Sequence, residues 1–268
     1  MNQPLSVTIL GSRGSVPVSG EKFSHYGGAT CCILIRAGEN ALVLDAGTGL
    51  MNLSPAMIGS TRLTIFLTHC HSDHLLGLPL CPIVMNPTFR LDIYGATRDD
   101  QTISAQVDRL MSPPLWPVGP QQLPADIRFH ELPPHIQLGD VLIESAEGLH
   151  PGGVSIFRIS VGGKRIVYLT DCTITDDNRA FLADFSRNCD LLLCDGQYSD
   201  AQWPACSTFG HNRWTEASRF GKFCGAKMTR VLHHAPAHND QTLDCANAEV
   251  RTIDPACALA FDGEEILI

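Results

Sequence analysis

The chain has 268 residues, of which 44% are hydrophobic, a formal net charge of −9 and a mean hydropathy near zero. That length suffices for one large domain or two small ones, with a sizeable core. The negative charge argues against broad binding of nucleic acid, which depends on lysine and arginine. No apolar run reaches 18 residues, so the sequence predicts no transmembrane helix.

Eleven cysteines are an odd number, and none forms a C-x-x-C pair. Residues Met1 to Pro4 lack the basic start and apolar stretch of a signal peptide. These features predict reduced, mostly buried thiols in a cytoplasmic protein rather than a disulfide framework. The cysteine spacing does not support a structural zinc site.

In the first part of the chain, the alternation of apolar runs and turn residues predicts short strands that end in polar or glycine-rich turns. Ser6 to Leu10 precedes the turn Gly11 to Ser15, and Cys31 to Arg36 pairs with Ala41 to Leu44. Asp45 follows directly. Its carboxylate has two open roles, to cap the next turn or to orient a ligand histidine.

A buried strand, Leu63 to Leu67, leads into a segment with three histidines and an aspartate within six residues. Such a cluster seldom serves only to fill a protein interior, because each buried imidazole needs a hydrogen-bond partner. A metal ion satisfies imidazole and carboxylate groups directly. The spacing of His69 and His71 lets both rings converge on one ion, while Asp73 and His74 can face a second.

The next stretch predicts a short helix over Leu75 to Leu80, a strand over Leu91 to Tyr94 and a helix over Asp99 to Met111. A proline-rich segment near 112–135 then excludes a helix or a central strand. Its apolar residues, such as Leu115, favour a semi-rigid loop at the rim of a pocket. The alternative that this segment is a linker between two domains stays open.

Beyond this segment, strands again lead to polar residues. Val141 to Ala146 precedes His150, and a hairpin of Val154 to Val161 with Arg165 to Leu169 precedes Asp171. This pattern, a strand followed by a ligand-type residue, predicts a metal site at the end of a sheet.

The last part of the chain repeats the pattern. Asp190 to Cys194 is a predicted strand before Asp195, and Trp214 to Cys224 has helical spacing. A short strand, Arg230 to Leu232, precedes the pair His233-His234. Both cannot point into one site if the backbone is extended, because side chains alternate between faces.

The order of these segments resembles the metallo-β-lactamase fold hydrolases, in the branch that contains ribonuclease Z and small phosphodiesterases. His69 to His74 matches the family's H-x-H-x-D-H signature. Six further blocks extend the resemblance over nearly the whole chain: Gly11 to Ser15, Tyr26 to Gly28, Leu44 to Gly49, His150 to Gly153, Tyr168 to Asp171 and Gly210-His211. The resemblance implies one domain over 1–268, with the α/β fold of a four-layer αββα sandwich whose two mixed β-sheets are flanked by helices.

The resemblance also implies a dinuclear site, with two divalent ions that are zinc or, alternatively, manganese. The ligands carried over are His69, His71 and His150 for one ion, Asp73, His74 and His233 for the other, and Asp171 as the bridge. His233 is preferred to His234 because Val231-Leu232-His233 best matches the position of the family's last ligand.

The resemblance places His211 near the leaving oxygen of the substrate, where imidazole can donate a proton near neutral pH. His211 and Asp73 are therefore the predicted catalytic residues. Asn212 stands where the family has Ser or Thr, and we expect it to cap the helix that follows.

The predicted reaction is attack of a metal-bridging hydroxide on a phosphodiester. Ribonuclease Z carries a long arm for transfer RNA between its third histidine motif and its bridging aspartate. Only 21 positions separate His150 from Asp171, which leaves no room for that arm. The sequence therefore favours a small substrate, such as a cyclic nucleotide or cyclic phosphate, and argues against extended nucleic acid or membrane as partners. A homodimer stays open.

Three alternatives to the small-substrate phosphodiesterase stay open. The first is an endoribonuclease of the ribonuclease Z type with the same metals. The second is a carboxylic-ester or lactone hydrolase, which the Gly210-His211 motif disfavours. The third is a metal-binding module whose site is catalytically vestigial.

Overall fold

The computed structural model describes residues 5–268, which fold into two seven-stranded β-sheets packed face to face with helices outside. The strands are β1 (Ser6–Gly11), β2 (Cys32–Ala37), β3 (Asn40–Leu44), β4 (Arg62–Phe66), β5 (Arg90–Gly95), β6 (Asp126–Glu131), β7 (His135–Leu138), β8 (Val141–Gly148), β9 (Val154–Val161), β10 (Lys164–Leu169), β11 (Leu191–Asp195), β12 (Thr229–Leu232), β13 (Cys257–Leu259) and β14 (Glu265–Leu267). This is the predicted four-layer αββα sandwich.

The α-helices are α1 (Pro55–Ile58), α2 (Ile103–Leu110), α3 (Asp176–Ser186), α4 (Trp203–Cys206), α5 (Trp214–Cys224) and α6 (Asp240–Ile253). Short 3-10 helices cover Glu21–Phe23, Thr48–Asn52, Ser72–His74, Leu78–Leu80, Pro82–Met85 and Pro120–Gln122. Each helix within residues 5–268 is too short or too polar to cross a membrane.

Both sheets are mixed, and the parallel part of each positions the site. The first sheet has the order β14-β1-β2-β3-β4-β5-β6, with β3 to β6 parallel. The second has the order β13-β12-β11-β10-β9-β8-β7, with β10 to β13 parallel. Parallel neighbours end at the same edge of a sheet, so the residues after these strands are brought together.

The core consists of three layers of apolar side chains. In β11, Leu191 and Leu193 face the first sheet, whereas Leu192 and Cys194 face the helices. This alternation follows from the two-residue period of a strand, and it explains why β11 reads as a continuous apolar run. Eight of the eleven cysteines are buried, as predicted.

Two predicted helices are shorter than expected. The helix predicted over Asp99 to Met111 begins at Ile103, because the Thr102 side chain accepts a hydrogen bond from the backbone N–H of Ala105 at 3.3 Å. In place of the helix predicted over Leu75 to Leu80, the structure has the shorter 3-10 helix Leu78–Leu80. Pro79 has no N–H to continue an α-helix.

The segment 112–135 is only partly a loop. Residues Asp126–Glu131 form β6, so the expectation of a loop throughout was wrong there. Pro124 and Pro133 flank this strand rather than interrupt it, and β6 lies at the edge of its sheet. Leu115 lines a cavity of about 260 Å³ together with Cys70 and Ser72.

Candidate metal centre

Strands from both sheets end beside one another and deliver polar residues to a common edge. β3 and β4 belong to the first sheet, and β8, β10, β11 and β12 belong to the second. The residues that end or follow these six strands are Asp45, His69, His150, Asp171, Asp195 and His233. Together with His71, Asp73 and His74 from the turn after β4, these side chains form the candidate site.

The first histidine group consists of His69, His71 and His150. Nε2 of His69 lies 2.8 Å from Nδ1 of His71, and Nε2 of His150 lies 3.2 Å from the same nitrogen. His69 and His150 are buried, while His71 is exposed at the opening of the group. Three imidazole nitrogens thus converge, as proposed for the ligands of one ion.

The second histidine group consists of Asp73, His74 and His233. Oδ2 of Asp73 lies 3.2 Å from Nε2 of His233 and 3.5 Å from Nε2 of His74. The same oxygen accepts a hydrogen bond from the backbone N–H of Ser15 at 2.6 Å. All three members of the group are buried.

Asp171 lies between the two groups. Its Oδ2 is 3.2 Å from Nε2 of His74, and its Oδ1 is 3.2 Å from Nε2 of His233. Oδ1 is also 3.8 Å from Nε2 of His150 in the first group. One carboxylate therefore faces both sets of imidazoles, which is the position that a bridging ligand requires.

Hydrogen bonds on the far side of the rings turn their Nε2 atoms inward. Nδ1 of His74 donates to Oδ2 of Asp45 at 2.8 Å, and Nδ1 of His150 donates to the carbonyl of Gly210 at 3.0 Å. The Thr68 hydroxyl donates to Asp45 and accepts from Nδ1 of His69 at 3.0 Å. Metal-binding histidines are characteristically fixed in this way. Of the two roles predicted for Asp45, the structure shows the orienting contact.

The backbone is strained at three of these positions. Asp45, Asp171 and His233 have φ angles of 60°, 52° and 64°, in the left-handed region that non-glycine residues seldom occupy. Such conformations persist only where the surroundings hold them, and they concentrate at functional sites.

Charge interactions within the site are strong and shift several pKa values. Burial disfavours the charged form of His74, but Asp45, Asp171 and Asp73 outweigh it and raise its pKa well above the usual range. Burial also opposes ionisation of Asp171, but the charges of His233 and His74 hold its pKa well below its ordinary value. The carboxylates of the site are thus ready to bind a cation.

The first histidine group behaves in the opposite way. Burial, with neighbouring imidazoles, lowers the pKa of His69 well below its usual value, and burial lowers the pKa of His71 and His150. These rings are therefore neutral at pH 7, and neutral imidazole is the form that binds a metal ion.

The residues present fit divalent metal ions. Nε2 of His74 and Nδ1 of His233 are buried and make no hydrogen bond of acceptable geometry within residues 5–268, although carboxylate oxygens lie near both rings. A buried polar atom without a partner is costly, and an ion at Nε2 of His74 would remove that cost. Imidazole and carboxylate ligands suit several divalent ions, including zinc and manganese.

Residues 40–234 match the beta-lactamase superfamily domain. This match spans more than half of the chain and includes all seven proposed ligands. The chain belongs to the metallo-β-lactamase superfamily. Members of this superfamily share the αββα sandwich of two mixed sheets.

Within the superfamily, the chain is similar to ribonuclease Z proteins. It is 30% identical to ribonuclease Z of Nanoarchaeum equitans (strain Kin4-M), over 87% of this chain and 84% of that protein. It is 22% identical to ribonuclease Z of Bradyrhizobium sp. (strain ORS 278), over 97% and 98%. Among solved structures, the metallo-β-lactamase fold protein YhfI from Bacillus subtilis superposes with a TM-score of 0.77 at 23% identity, with both chains fully covered.

His211 of this metallo-β-lactamase superfamily protein lies beside the two groups. Its Nδ1 donates to Oδ2 of Asp195 at 2.8 Å, and its ring stacks on His233 with centroids 4.7 Å apart. Oδ1 of Asp195 accepts from the backbone N–H of Asn212 at 2.7 Å. Asp195 thus fixes the tautomer of His211 with its proton on Nδ1, which leaves Nε2 as the other reactive nitrogen.

Asn212 does not cap the helix that follows, and that prediction was wrong. Helix α5 begins at Trp214, and Arg213 occupies the N-cap position. The Asn212 side chain instead accepts a hydrogen bond from the backbone N–H of Ile174 at 2.8 Å and donates to the carbonyl of Cys172 at 2.8 Å. It therefore ties the His211 turn to the segment after Asp171.

The structure separates His233 from its neighbour. The His233 ring points into the second histidine group, whereas Nε2 of His234 donates to the carbonyl of Ala260 at 2.8 Å. Burial lowers the pKa of His234 to about 3, so this ring is neutral and structural. His238 contacts Gln202 rather than the site.

The sequence did not predict the contact partners of two residues that support the site. The hydroxyl of Tyr168 donates to Oδ2 of Asp45 at 2.9 Å, deep between the sheets. Gly14 lies so close to His233 that an added Cβ would be 2.0 Å from its Nδ1. The alternation of β10 could have assigned Tyr168 to the inner face, but nothing in the local sequence connects Gly14 to a residue more than 200 positions away.

Proposed function

We propose that this protein is a metal-dependent phosphodiesterase that cleaves small phosphodiesters, with two divalent ions, zinc or manganese, held by His69, His71, Asp73, His74, His150, Asp171 and His233. The observation that carries the proposal is the position of Asp171 between the two histidine groups. An aspartate in this position is characteristic of the phosphodiesterase side of the superfamily, which the sequence resembles. Ions bound there would act as Lewis acids on a phosphoryl oxygen and activate water as the nucleophile.

The chain's own residues supply proton transfer and positioning. Asp195 holds Nδ1 of His211, and a His211 ring protonated on both nitrogens would donate its Nε2 proton to the leaving oxygen. Asp73 contacts both His74 and His233 and is anchored by the N–H of Ser15, so it fixes the geometry of the second group. A proton donor on one side of a carboxylate-rich centre suits cleavage of an ester with a poor leaving group.

The preference for a small substrate rests on the segment between His150 and Asp171. It contains only strands β9 and β10, joined at Gly162-Gly163, and both belong to the second sheet. It therefore has no protruding segment of the kind with which ribonuclease Z holds transfer RNA. A cyclic nucleotide or cyclic phosphate is the class we propose, in a cytoplasmic setting.

A ribonuclease activity is the second candidate, because the chain has ribonuclease Z proteins among its relatives. The deciding experiment loads the protein separately with zinc and manganese. It then compares kcat/KM for bis(p-nitrophenyl) phosphate, 2′,3′-cyclic nucleotides and precursor transfer RNA.

We expect the small esters to be cleaved with the higher kcat/KM. A higher value for precursor transfer RNA would establish the ribonuclease instead. Tight metal binding without hydrolysis of any ester would contradict both candidates.

A further inference from the structure

The Tyr198 ring neighbours the His211 ring, and the Phe209 ring neighbours Tyr198. We call Tyr198 and Phe209 the aromatic shelf. The Tyr198 ring is 6.0 Å from the His211 ring and 6.5 Å from the Phe209 ring, edge-on in both cases. Phe209 is 56% exposed. Aromatic rings pair in offset or edge-on arrangements, so an exposed ring at this place can pack against a planar group of a substrate.

The backbone next to the aromatic shelf is fixed by contacts with residues of the candidate site. Phe209 precedes Gly210, whose carbonyl accepts the hydrogen bond from His150 and whose φ is 93°. A Cβ at Gly210 would be 2.4 Å from Nδ1 of His150, so the turn packs directly on a proposed ligand. The Tyr198 backbone pairs with Asn212 and Trp214 on the other side. The turn that carries the exposed Phe209 side chain is therefore held in place by these contacts.

We propose that the aromatic shelf stacks on a nucleobase, so that the substrates, cyclic or open, are phosphodiesters whose leaving oxygen belongs to a nucleoside. This inference rests on the proposed function, in which His211 faces the leaving oxygen. Aromatic rings stack on any base, because every base has a π face. The shelf therefore selects a nucleoside without selecting which base it carries.

The step is a hydrolysis in which water adds to phosphorus and the bond from phosphorus to the nucleoside O5′ breaks. The electron pair of that bond goes to O5′, which takes the Nε2 proton of protonated His211, and the proton that the attacking water loses restores His211 to its protonated form. Adenosine 5′-methyl phosphate offers two bonds to cleave in one molecule. The shelf predicts adenosine and methyl phosphate as the main products, rather than adenosine 5′-monophosphate and methanol.

The first test measures this product ratio for the metal-loaded wild type, Phe209→Ala and Phe209→Trp. Phe209→Ala should lower the ratio of adenosine to adenosine 5′-monophosphate by about 5- to 150-fold, the range for loss of one base–aromatic stack. Phe209→Trp should retain the ratio, since it keeps an aromatic face. Phe223→Ala is the matched control, because Phe223 is 63% exposed but lies against α3, beside Ala180 and Ala183.

A binding measurement separates failure of the shelf from failure of the proposed function. Proton NMR of adenosine, titrated with each protein, should show upfield shifts of the base protons that Phe209→Ala removes. Hydrolysis of small diesters with equal adenosine binding by wild type and Phe209→Ala would overturn the shelf and leave the function standing. Binding that depends on Phe209 without any hydrolysis would support the shelf and contradict the function.

Discussion

The Tyr168 hydroxyl donates a hydrogen bond to Oδ2 of Asp45 at 2.9 Å, and the same oxygen accepts the proton of Nδ1 of His74 at 2.8 Å. Tyr168 comes from the second sheet, and Asp45 comes from the first. All three side chains are completely buried. The orientation of His74 is therefore fixed by a contact that crosses the space between the two sheets.

Asp45→Asn should lower metal affinity by about 10- to 100-fold, the usual effect of losing a group that orients a ligand histidine. The amide cannot accept from Tyr168, Thr68 and His74 with the same strength, so the His74 ring loses its fixed direction. Competition with a chromophoric chelator measures the affinity. Tyr168→Phe removes one of these hydrogen bonds and should have a smaller effect. An equal or larger effect of Tyr168→Phe would show that the Asp45 carboxylate is not the main group that orients His74.

His71→Ala and His211→Ala should differ in what they remove. The first should lower metal content and activity together. The second should leave both ions bound and lower turnover by about 10²- to 10⁴-fold, the range for a general acid.

The loss in His211→Ala should be smaller for p-nitrophenyl esters, whose leaving group needs little protonation, than for alkyl or nucleoside esters. Elemental analysis and rates on both ester classes test this. Loss of metal in His211→Ala, or equal losses on both classes, would exclude the proton-donor role.

Gly14→Ala should lower the metal content, because the new Cβ would lie 2.0 Å from Nδ1 and 2.1 Å from Cε1 of His233. The imidazole must move, and the second histidine group loses one of its three members. Gly119→Ala is a suitable control, since the nearest atom that its Cβ would meet among residues 5–268 is Oε1 of Gln121 at 3.4 Å, and Gly119 has an ordinary φ of −77°. Full metal content in Gly14→Ala would show that His233 is not needed as a ligand.

Asp190 should contribute stability that depends on pH, away from the metal centre. Burial alone would raise its pKa, but the hydrogen bond from Lys227, the backbone N–H of Arg165 and the charge of Lys164 outweigh it and lower the pKa. A lowered pKa in the folded state stabilises the fold above the unfolded value of about 3.9, and the contribution disappears as pH falls through the folded value.

Asp190→Asn should therefore reduce the free energy of unfolding by about 1 kcal/mol at pH 7, with a smaller difference below pH of about 4. Urea denaturation at several pH values, with equal metal loading, measures this. Asp184→Asn is the control, because Asp184 is 72% exposed and, among residues 5–268, its side chain pairs with Arg187 alone. A difference that grows as pH falls would contradict the assignment.

Sequence reasoning predicted the strands well where an apolar run ends in a polar residue, as at β4, β10 and β11. It also predicted helix α5 with its observed bounds. It missed α3 and α6, although Thr175 with Asn178 and Asn239 with Thr242 carry recognisable signals of a helix start. The structure places all seven proposed ligands together, and their roles stay predictions until metal binding is measured.

What the sequence could not predict are contacts set by the pairing of distant segments. For Asp195, the sequence predicted only that it lies at the end of a strand. Its hydrogen bond with His211 depends on how the turn after α4 folds back. The approach of Gly14 to His233 likewise depends on the packing of the β1 turn against the end of β12. Local periodicity identifies an element, but side-chain partners across the fold require its three-dimensional arrangement.

The division of the site between the two sheets has a consequence for folding. The turn after β4 contributes four proposed ligands, and the second sheet contributes His150, Asp171 and His233. Neither sheet holds the complete set of proposed ligands, so ions held by all seven would bind fully only after the two sheets have docked, and would then cross-link them. Binding only to the docked state would raise the free energy of unfolding by about 4 kcal/mol at a thousand times the dissociation constant. The metal centre would thus hold the two sheets together as well as carry the reaction.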